Sequence, residues 1–217
     1  MSNFTAFLFL SACFLAILFA GEVLYKYFHL PAELSRKFSH ISSAIIACTF
    51  PFLLSSHWWV MAIGFSFLLL LYLSEKFNFL KSINSIERKT FGSVLYPIAI
   101  YLCFILNQVL VKNNGQYQFY FASLMILGIS DPLAAIVGGK YPIFRFQKIA
   151  VGKSIGGSLA FFIAAFIISF SFLTLDNKIL ICLAVSLLST LAELFSYNGF
   201  DNLFVPLSCY LLFYIFN

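Results

Sequence analysis

The chain has 217 residues, of which 62% are hydrophobic and 10% charged, with 29 phenylalanines and a formal net charge of +5. A soluble domain is about a quarter charged, so this composition excludes a soluble globular protein and leaves a polytopic membrane protein. The positive balance is no sign of nucleic-acid binding, because the basic residues lie between apolar runs, where they set topology.

Apolar runs long enough, or nearly long enough, to cross a bilayer fall at 4–20, 41–54, 57–73, 91–111, 117–137, 157–175, 179–195 and 202–216. They predict an all-α, polytopic integral membrane helical bundle of about eight transmembrane helices, with seven to nine as the range. A single membrane-embedded domain is expected over 1–217. The opening Met-Ser-Asn-Phe has no basic segment, so the first run reads as a spanning helix rather than a cleaved signal peptide. The second and third runs are short and separated by Ser55-Ser56-His57, which suits a tight hairpin or a re-entrant pair. Trp58-Trp59 reads as an interface anchor, and Asn113-Asn114-Gly115 and Asp176-Asn177-Lys178 as short outer turns. Cys13, Cys48, Cys103, Cys182 and Cys209 all lie in apolar runs without a Cys-x-x-Cys pair, as packing residues do.

The islands between runs differ in charge. Segment 21–40 holds Lys26, Arg36 and Lys37; segment 74–90 holds Lys76, Lys81, Arg88 and Lys89; segment 138–156 holds Lys140, Arg145, Lys148 and Lys153. If all eight runs cross, these islands share one side with 196–201, and that side carries eleven of the 13 basic residues. Only Lys112 and Lys178 fall opposite. Basic loops stay in the cytoplasm, so both termini are expected outside.

Topology leaves a small polar set unexplained, all of it on the cytoplasmic face: Glu22, Glu33, Arg36, Lys37, His40, Asp131, Lys140, Lys153, Glu193, Asp201 and Asn202. None is expected near the midplane of a helix. A carboxylate deep in an apolar segment costs about 2.5–3.5 kcal/mol on insertion scales, so Asp131 needs a partner or a task. Asp131, Ala135 and Gly139 share one helical face, with Ala134 above Gly138 beside it, and small residues at that spacing admit another backbone. Two readings fit: a packing seam in which Asp131 pairs with a lysine, or an acid presented to a ligand over a glycine floor.

Gly152-Lys153-Ser154-Ile155-Gly156-Gly157-Ser158 opens the sixth run. Free N–H groups at a helix start, with glycines and hydroxyls around them, form an anion site, and Lys153 adds a point charge suited to phosphate; a plain glycine-rich helix start is the alternative. A Walker A loop is excluded, because Gln147 stands where that motif needs glycine and no strand precedes it. Glu193, Asp201 and Asn202 flank the last turn and are hard oxygen ligands of the kind Mg²⁺ takes. Asp201 alone also suits an N-cap, which leaves Glu193 unexplained. Arg36 and His40 lie four apart and face one way on a helix, with Lys37 between them; juxtamembrane basic pairs also bind lipid headgroups. Glu87-Arg88-Lys89-Thr90-Phe91-Gly92-Ser93 carries a similar, weaker signal. Gathered on one face of a lipid-embedded fold, these groups make a nucleotide or pyrophosphate site.

Four groups follow in order: Arg36-Lys37-x-x-His40; Asp131-Pro132-x-Ala134-Ala135-x-x-Gly138-Gly139-Lys140; Lys153-Ser154-x-x-Gly157-Ser158; and Glu193 with Asp201-Asn202-x-x-x-Pro206. In that order the chain resembles the polyprenol kinase family (dolichol kinase, phytol kinase and the CTP-dependent diacylglycerol kinase) from about residue 33 to 208, in its short, phytol-kinase or bacterial form. The family's last motif often carries a denser acidic run than Asp201-Asn202. The resemblance implies transfer of a γ-phosphate, with CTP as the expected donor and ATP as the second, to the hydroxyl of an isoprenoid alcohol of polyprenol, dolichol or phytol type, or to diacylglycerol. On this reading Asp131, Asp201 and Lys153 are catalytic. Asp131, Glu193, Asp201 and Asn202 hold Mg²⁺, and Arg36, Lys37, His40, Gly138, Gly139, Lys140, Ser154, Gly157 and Ser158 bind the nucleotide phosphates. The expected residence is a bacterial plasma membrane, with the active site facing the cytoplasm and the bilayer supplying the lipid. Two rivals are a phosphatidate cytidylyltransferase, which would release pyrophosphate from CTP, and a small transporter, against which the one-sided clustering of charges speaks.

Overall fold

The computed structural model describes residues 1–85, 90–111, 116–146, 152–174 and 177–216. Glu87, Arg88, Lys89, Lys112, the Asn113-Asn114-Gly115 turn, Gln147, Lys148 and Asp176 lie outside the described residues. Among those described, the regular structure is helical, with one isolated bridge between Arg145 and Ser154. The long helices are α1 (Asn3–Lys26), α2 (Ala32–Ala47), α3 (His57–Lys76), α4 (Gly92–Leu110), α5 (Gln118–Lys140), α6 (Ile155–Phe172), α7 (Lys178–Phe195) and α8 (Asp201–Ile215). Single turns at Phe50–Leu53 and Lys81–Asn84 sit in the connections.

The all-α, multi-pass class is thus as expected, but the count of spans is not. Six of these helices are long and apolar enough to cross a membrane. The exceptions are α2 with 16 residues and α8 with 15, short of the roughly 20 that a bilayer asks for. For α2 the cause is a shifted start. The helix begins at Ala32, in the polar island, and stops at Ala47, so the apolar run 41–54 is divided before the turn that contains Pro51.

The eight helices still alternate in direction. At one end of the bundle Asn3 Nδ2 donates to Ser55 Oγ (2.7 Å). There too Phe52 packs edge-on against Tyr117 at 5.6 Å, and Phe119 stacks on Phe213 at 6.1 Å. At the other end the Ser82 N–H donates to Glu22 Oε2 (2.9 Å) and the Phe91 N–H to the Asn198 carbonyl (2.9 Å). The helical ends of the chain therefore lie together, at the end opposite Glu22 and Asn198.

The centre is filled by rings: Tyr120, Phe161, Tyr210 and Phe213 are wholly buried. The two tyrosine hydroxyls are satisfied there, Tyr120 donating to the Ala47 carbonyl (2.9 Å) and Tyr210 to Asn107 Oδ1 (3.3 Å). Large apolar side chains such as Phe19 and Leu180 point outward, 71% and 70% exposed, as lipid-facing residues do. In lipid, helices gain little from hydrophobic burial against each other, so close backbone approach matters more. Gly128 of α5 supplies one such approach, because a Cβ there would lie 2.4 Å from Ala44 Cβ of α2.

Helix α5 widens to a π-helix over Ile126–Ser130, directly before Asp131-Pro132. Pro132 has no N–H to give, and in a regular helix its ring collides with the carbonyl four residues back, that of Gly128. A wider turn relieves this, and such bulges are frequent at functional sites. Asp131 lies roughly 20 Å along the axis from Gln118 and roughly 13 Å from Lys140. It therefore stands well inside the helix rather than at its edge, because α5 continues past the expected end of its apolar run.

The Gly128–Ala44 contact gives a direct test of how α2 is seated. Gly128→Ala should lower the unfolding temperature of the detergent-solubilised protein, by an overpacking cost of about 1–3 kcal/mol. Adding Ala44→Gly, which removes the opposing methyl, should recover most of that loss in the same thermal melt.

Candidate active site

Three helices deliver one carboxylate each to a single point. Asp131 follows the wide turn of α5, Glu193 lies in the last turn of α7, and Asp201 in the first turn of α8. One oxygen from each lies within 4.8 Å of the others; Asp131 and Glu193 are buried and Asp201 is half-buried. Two ammonium groups oppose them. Lys37 Nζ of α2 is 2.5 Å from Asp131 Oδ2, with both side chains almost entirely enclosed. Lys153 Nζ is 2.9 Å from Glu193 Oε1 and 4.0 Å from Asp201 Oδ2, and it also donates to the Glu193 backbone carbonyl. Two positive charges against three negative ones leave the cluster with capacity for a cation.

Local structure aims each group. Ser154 is the extended N-cap of α6, and its Oγ accepts the Gly157 N–H (3.2 Å). Segment 143–146 runs back along this cap, with the Phe146 N–H donating to the Lys153 carbonyl (3.0 Å) and the Ile155 N–H to that of Ile143 (3.1 Å). Lys153 is held between them, facing the end of α7. The α7–α8 turn is fixed against the start of α4. Gly199 has φ +87°, and a Cβ there would lie 2.3 Å from the Gly92 nitrogen, so only glycine fits. Asn202 Nδ2 donates to the Gly92 carbonyl (3.1 Å), and a Cβ on Gly92 would come within 2.6 Å of that nitrogen.

The structure sorts the expected site residues into three groups. Asp131, Glu193, Asp201, Lys37 and Lys153 meet. Lys37, expected among the phosphate binders, is the partner of Asp131, so the ion-pair reading of Asp131 and the ligand-facing one describe the same residue. Ser154, Gly138 and Gly157 frame the cluster: a Cβ on either glycine would lie 3.3 Å from the Cα of the other. The glycine floor is thus a seam of α5 against α6, and these two glycines are covered by helix backbone rather than open to a phosphate. Lys140 does not join: it stands exposed at the end of α5, over the Tyr141 ring at 5.4 Å. Gly139 has nothing near its free side, and Ser158 Oγ is buried without a partner.

Arg36 makes two hydrogen bonds to Glu33 on its own helix, at 3.2 and 2.7 Å. His40 packs its ring on Tyr96, centroids 4.1 Å apart. The Asp201 carboxylate accepts the neighbouring Asn202 N–H (3.0 Å) but caps no helix. The Asn202 amide nitrogen ties α8 to α4, which leaves its oxygen as the atom that would serve as the metal ligand suggested by the sequence. Glu22 also finds a structural task, bonding Lys26 (3.2 Å) and the Ser82 N–H. Sequence reasoning passed over Gly92, Gly128 and Gly199 as builders of the site. Asn198-Gly199 carries a turn signal, whereas nothing near Gly128 announces that α2 will cross there.

Fold and site together define a multi-pass helical membrane protein with a buried carboxylate–lysine centre at one end of the bundle. Over 206 residues the chain is 30% identical to a phytol kinase of Synechocystis sp., a match that spans 91% of this chain and 85% of the relative. No protein-family model matches the chain, and no solved structure does. The chain belongs to the polyprenol and phytol kinase family and is a phosphotransferase.

Removing one member of a buried ion pair strands the other, at a cost of about 3–5 kcal/mol, whereas replacing both with apolar groups is often neutral. Lys37→Met should therefore destabilise the solubilised protein strongly. Lys37→Met with Asp131→Leu should melt near the wild-type temperature, a comparison that thermal unfolding reads directly.

Proposed function

We propose that the chain is a CTP-dependent lipid-alcohol kinase, which transfers the γ-phosphate of CTP to the hydroxyl of an isoprenoid alcohol of phytol, polyprenol or dolichol type. It acts at the cytoplasmic face of a bacterial plasma membrane, as one membrane-embedded domain over 1–217. The observation that carries this reading is the meeting of Asp131, Glu193 and Asp201 with Lys37 and Lys153 inside an apolar bundle. Similarity to a phytol kinase supports the acceptor class. CTP rests on the family resemblance, and the lysine-rich connections at the same end support the cytoplasmic side.

The donor set fits Mg²⁺. Three carboxylate oxygens converge with one negative charge left over, and Mg²⁺ takes hard oxygens from a few carboxylates, waters and phosphates. Asp131, Glu193 and Asp201 would hold it, and when bound it would neutralise charge on the transferring phosphoryl group.

The protein's own groups account for the rest. The acceptor oxygen forms a bond to the γ-phosphorus as the bond from that phosphorus to the bridging oxygen breaks. CDP leaves with that oxygen, and the acceptor proton passes to one of the clustered carboxylates. Lys37 fixes the position of Asp131 through their 2.5 Å contact. Lys153 sets positive charge beside Glu193 and Asp201, where charge on the phosphate oxygens develops. Burial of Asp131 and Glu193 limits access of bulk water, a competing acceptor.

The test uses purified protein, γ-labelled CTP or ATP, and phytol, polyprenol or diacylglycerol in mixed micelles. The expected outcome is a labelled alcohol phosphate with CDP released in step, abolished by chelator and restored by Mg²⁺. Asp131→Asn and Asp201→Asn should each lower turnover by about 10²-fold or more. Undiminished transfer in Asp131→Asn, or release of pyrophosphate from CTP and phosphatidate, would contradict the reading.

A further inference from the structure

A cleft lies between α1, α2, α3 and α4 beside the carboxylate cluster, with Ile83 and Asn202 also in its wall. Its walls change character along its length. At the end near the acids polar groups enter the wall, Arg36, Ser39, His40, Ser93 and Asn202, among the apolar Leu18, Leu71 and Ile83. At the far end they are apolar, with Phe14, Phe50, Val60, Phe67 and Ile100. The polar end adjoins the centre through chain neighbours, because Arg36 precedes the Lys37 that bonds Asp131, and Asn202 follows Asp201.

His40 offers an unpaired group at that polar end. Its Nε2 is buried without a hydrogen-bond partner. Its ring is held against Tyr96, whose hydroxyl donates to the His40 carbonyl (2.8 Å). Three rings close the opposite end: Phe14 packs on Phe50 at 6.0 Å and on Phe67 at 5.0 Å. Phe14, Phe50 and Val60 are themselves buried.

The depth can be read from helix rise. Val60 to Leu71 on α3 spans about 16 Å, and Gly92 to Ile100 on α4 about 12 Å. Half of a bilayer's hydrocarbon core, one leaflet, is about 15 Å. The cleft is therefore one leaflet deep, with one polar end and one closed apolar end.

We propose that this cleft is the acceptor-chain site. It takes a single alkyl or isoprenoid chain with a terminal hydroxyl, the hydroxyl at His40 and the tail against Phe14, Phe50 and Phe67, and these rings set the chain length accepted. The proposal rests on the kinase reading above and sharpens it, because one closed cleft with one polar end suits a single-chain alcohol of phytol type rather than the much longer polyprenols and dolichols or the two chains of diacylglycerol. Gly64 lies in the wall between the two ends, where a Cβ would meet Pro97 at an ordinary 4.0 Å. The backbone thus tolerates a side chain there, but a large one fills the cleft.

The experiment has two arms. In the first, kcat/KM is measured for geraniol, farnesol, geranylgeraniol and phytol. Gly64→Leu should lower the value for geranylgeraniol relative to geraniol by about tenfold or more, and Phe67→Ala should shift the preference toward longer chains. Unchanged chain-length profiles in both variants of an active enzyme would overturn the proposal. In the second arm, farnesol carrying a diazirine at its tail is photolysed with the wild-type protein without nucleotide, and the labelled peptides are mapped by mass spectrometry. Label within α1, the Phe50 turn, α3 or α4, competed by phytol, is expected; label confined to other helices, or none that phytol competes, would overturn it. The arms separate the two readings. Labelling of the cleft in a protein that phosphorylates no alcohol refutes the kinase and keeps the cleft. Phosphorylation with label elsewhere keeps the kinase and refutes the cleft.

Discussion

Three carboxylates within 4.8 Å of one another, two buried and one half-buried in a largely apolar bundle, repel each other with little water to screen them. The arrangement around them answers that constraint. Lys37 reaches Asp131 from a helix 94 residues away in sequence, and Lys153 spans Glu193 and Asp201 from the start of α6. Neither lysine reaches its partner unless the backbones come unusually close. Gly128 admits α2 against α5, Gly138 and Gly157 admit α5 against α6, and Gly92 and Gly199 lock the α7–α8 turn to α4. The glycines thus serve the electrostatics indirectly, by setting how far each charge stands from the next.

The wide turn before Asp131 belongs to the same solution. A proline directly after the acid disturbs the helix one turn earlier, at Gly128, the residue that α2 crosses. The distortion and the close approach coincide, so Asp131 emerges from α5 at the level of Lys37. One leaflet's depth of apolar cleft opens next to this point, on the side of Arg36 and His40. Charge and hydrocarbon meet at one place in the fold, which is what phosphorylation of a lipid hydroxyl asks of it.

Much of this was legible in the sequence, and for physical reasons. Composition alone decides the membrane class. The surplus of lysine and arginine in alternate islands orders the helices, and the structure keeps that alternation with both helical ends of the chain together. Asp131 and Glu193 stood out because a carboxylate in an apolar run has few innocent explanations, and Asp201 because it flanks the same turn as Glu193. Partners were harder to read. Lys37 stood out with Arg36 and His40 as a phosphate binder, and only the fold shows that it pairs with Asp131. The Gly138–Gly139 pair suggested a phosphate floor, whereas Gly138 packs against α6. Helix lengths misled at α2, where the helix draws on polar residues before its apolar run. Asn202 sat beside an acid and read as a ligand, and nothing in the sequence showed that its amide nitrogen also bonds across to Gly92.

On this reading the three carboxylates hold one divalent cation together. Electron paramagnetic resonance reads this on the purified, nucleotide-free protein, with Mn²⁺ as a spin-active substitute for Mg²⁺. The wild type should deplete the free Mn²⁺ signal to the extent of one ion per chain. A Glu193→Gln, Asp201→Asn variant that melts cooperatively should leave the free signal largely undiminished. Equal depletion by the two proteins would mean that the three carboxylates hold no cation.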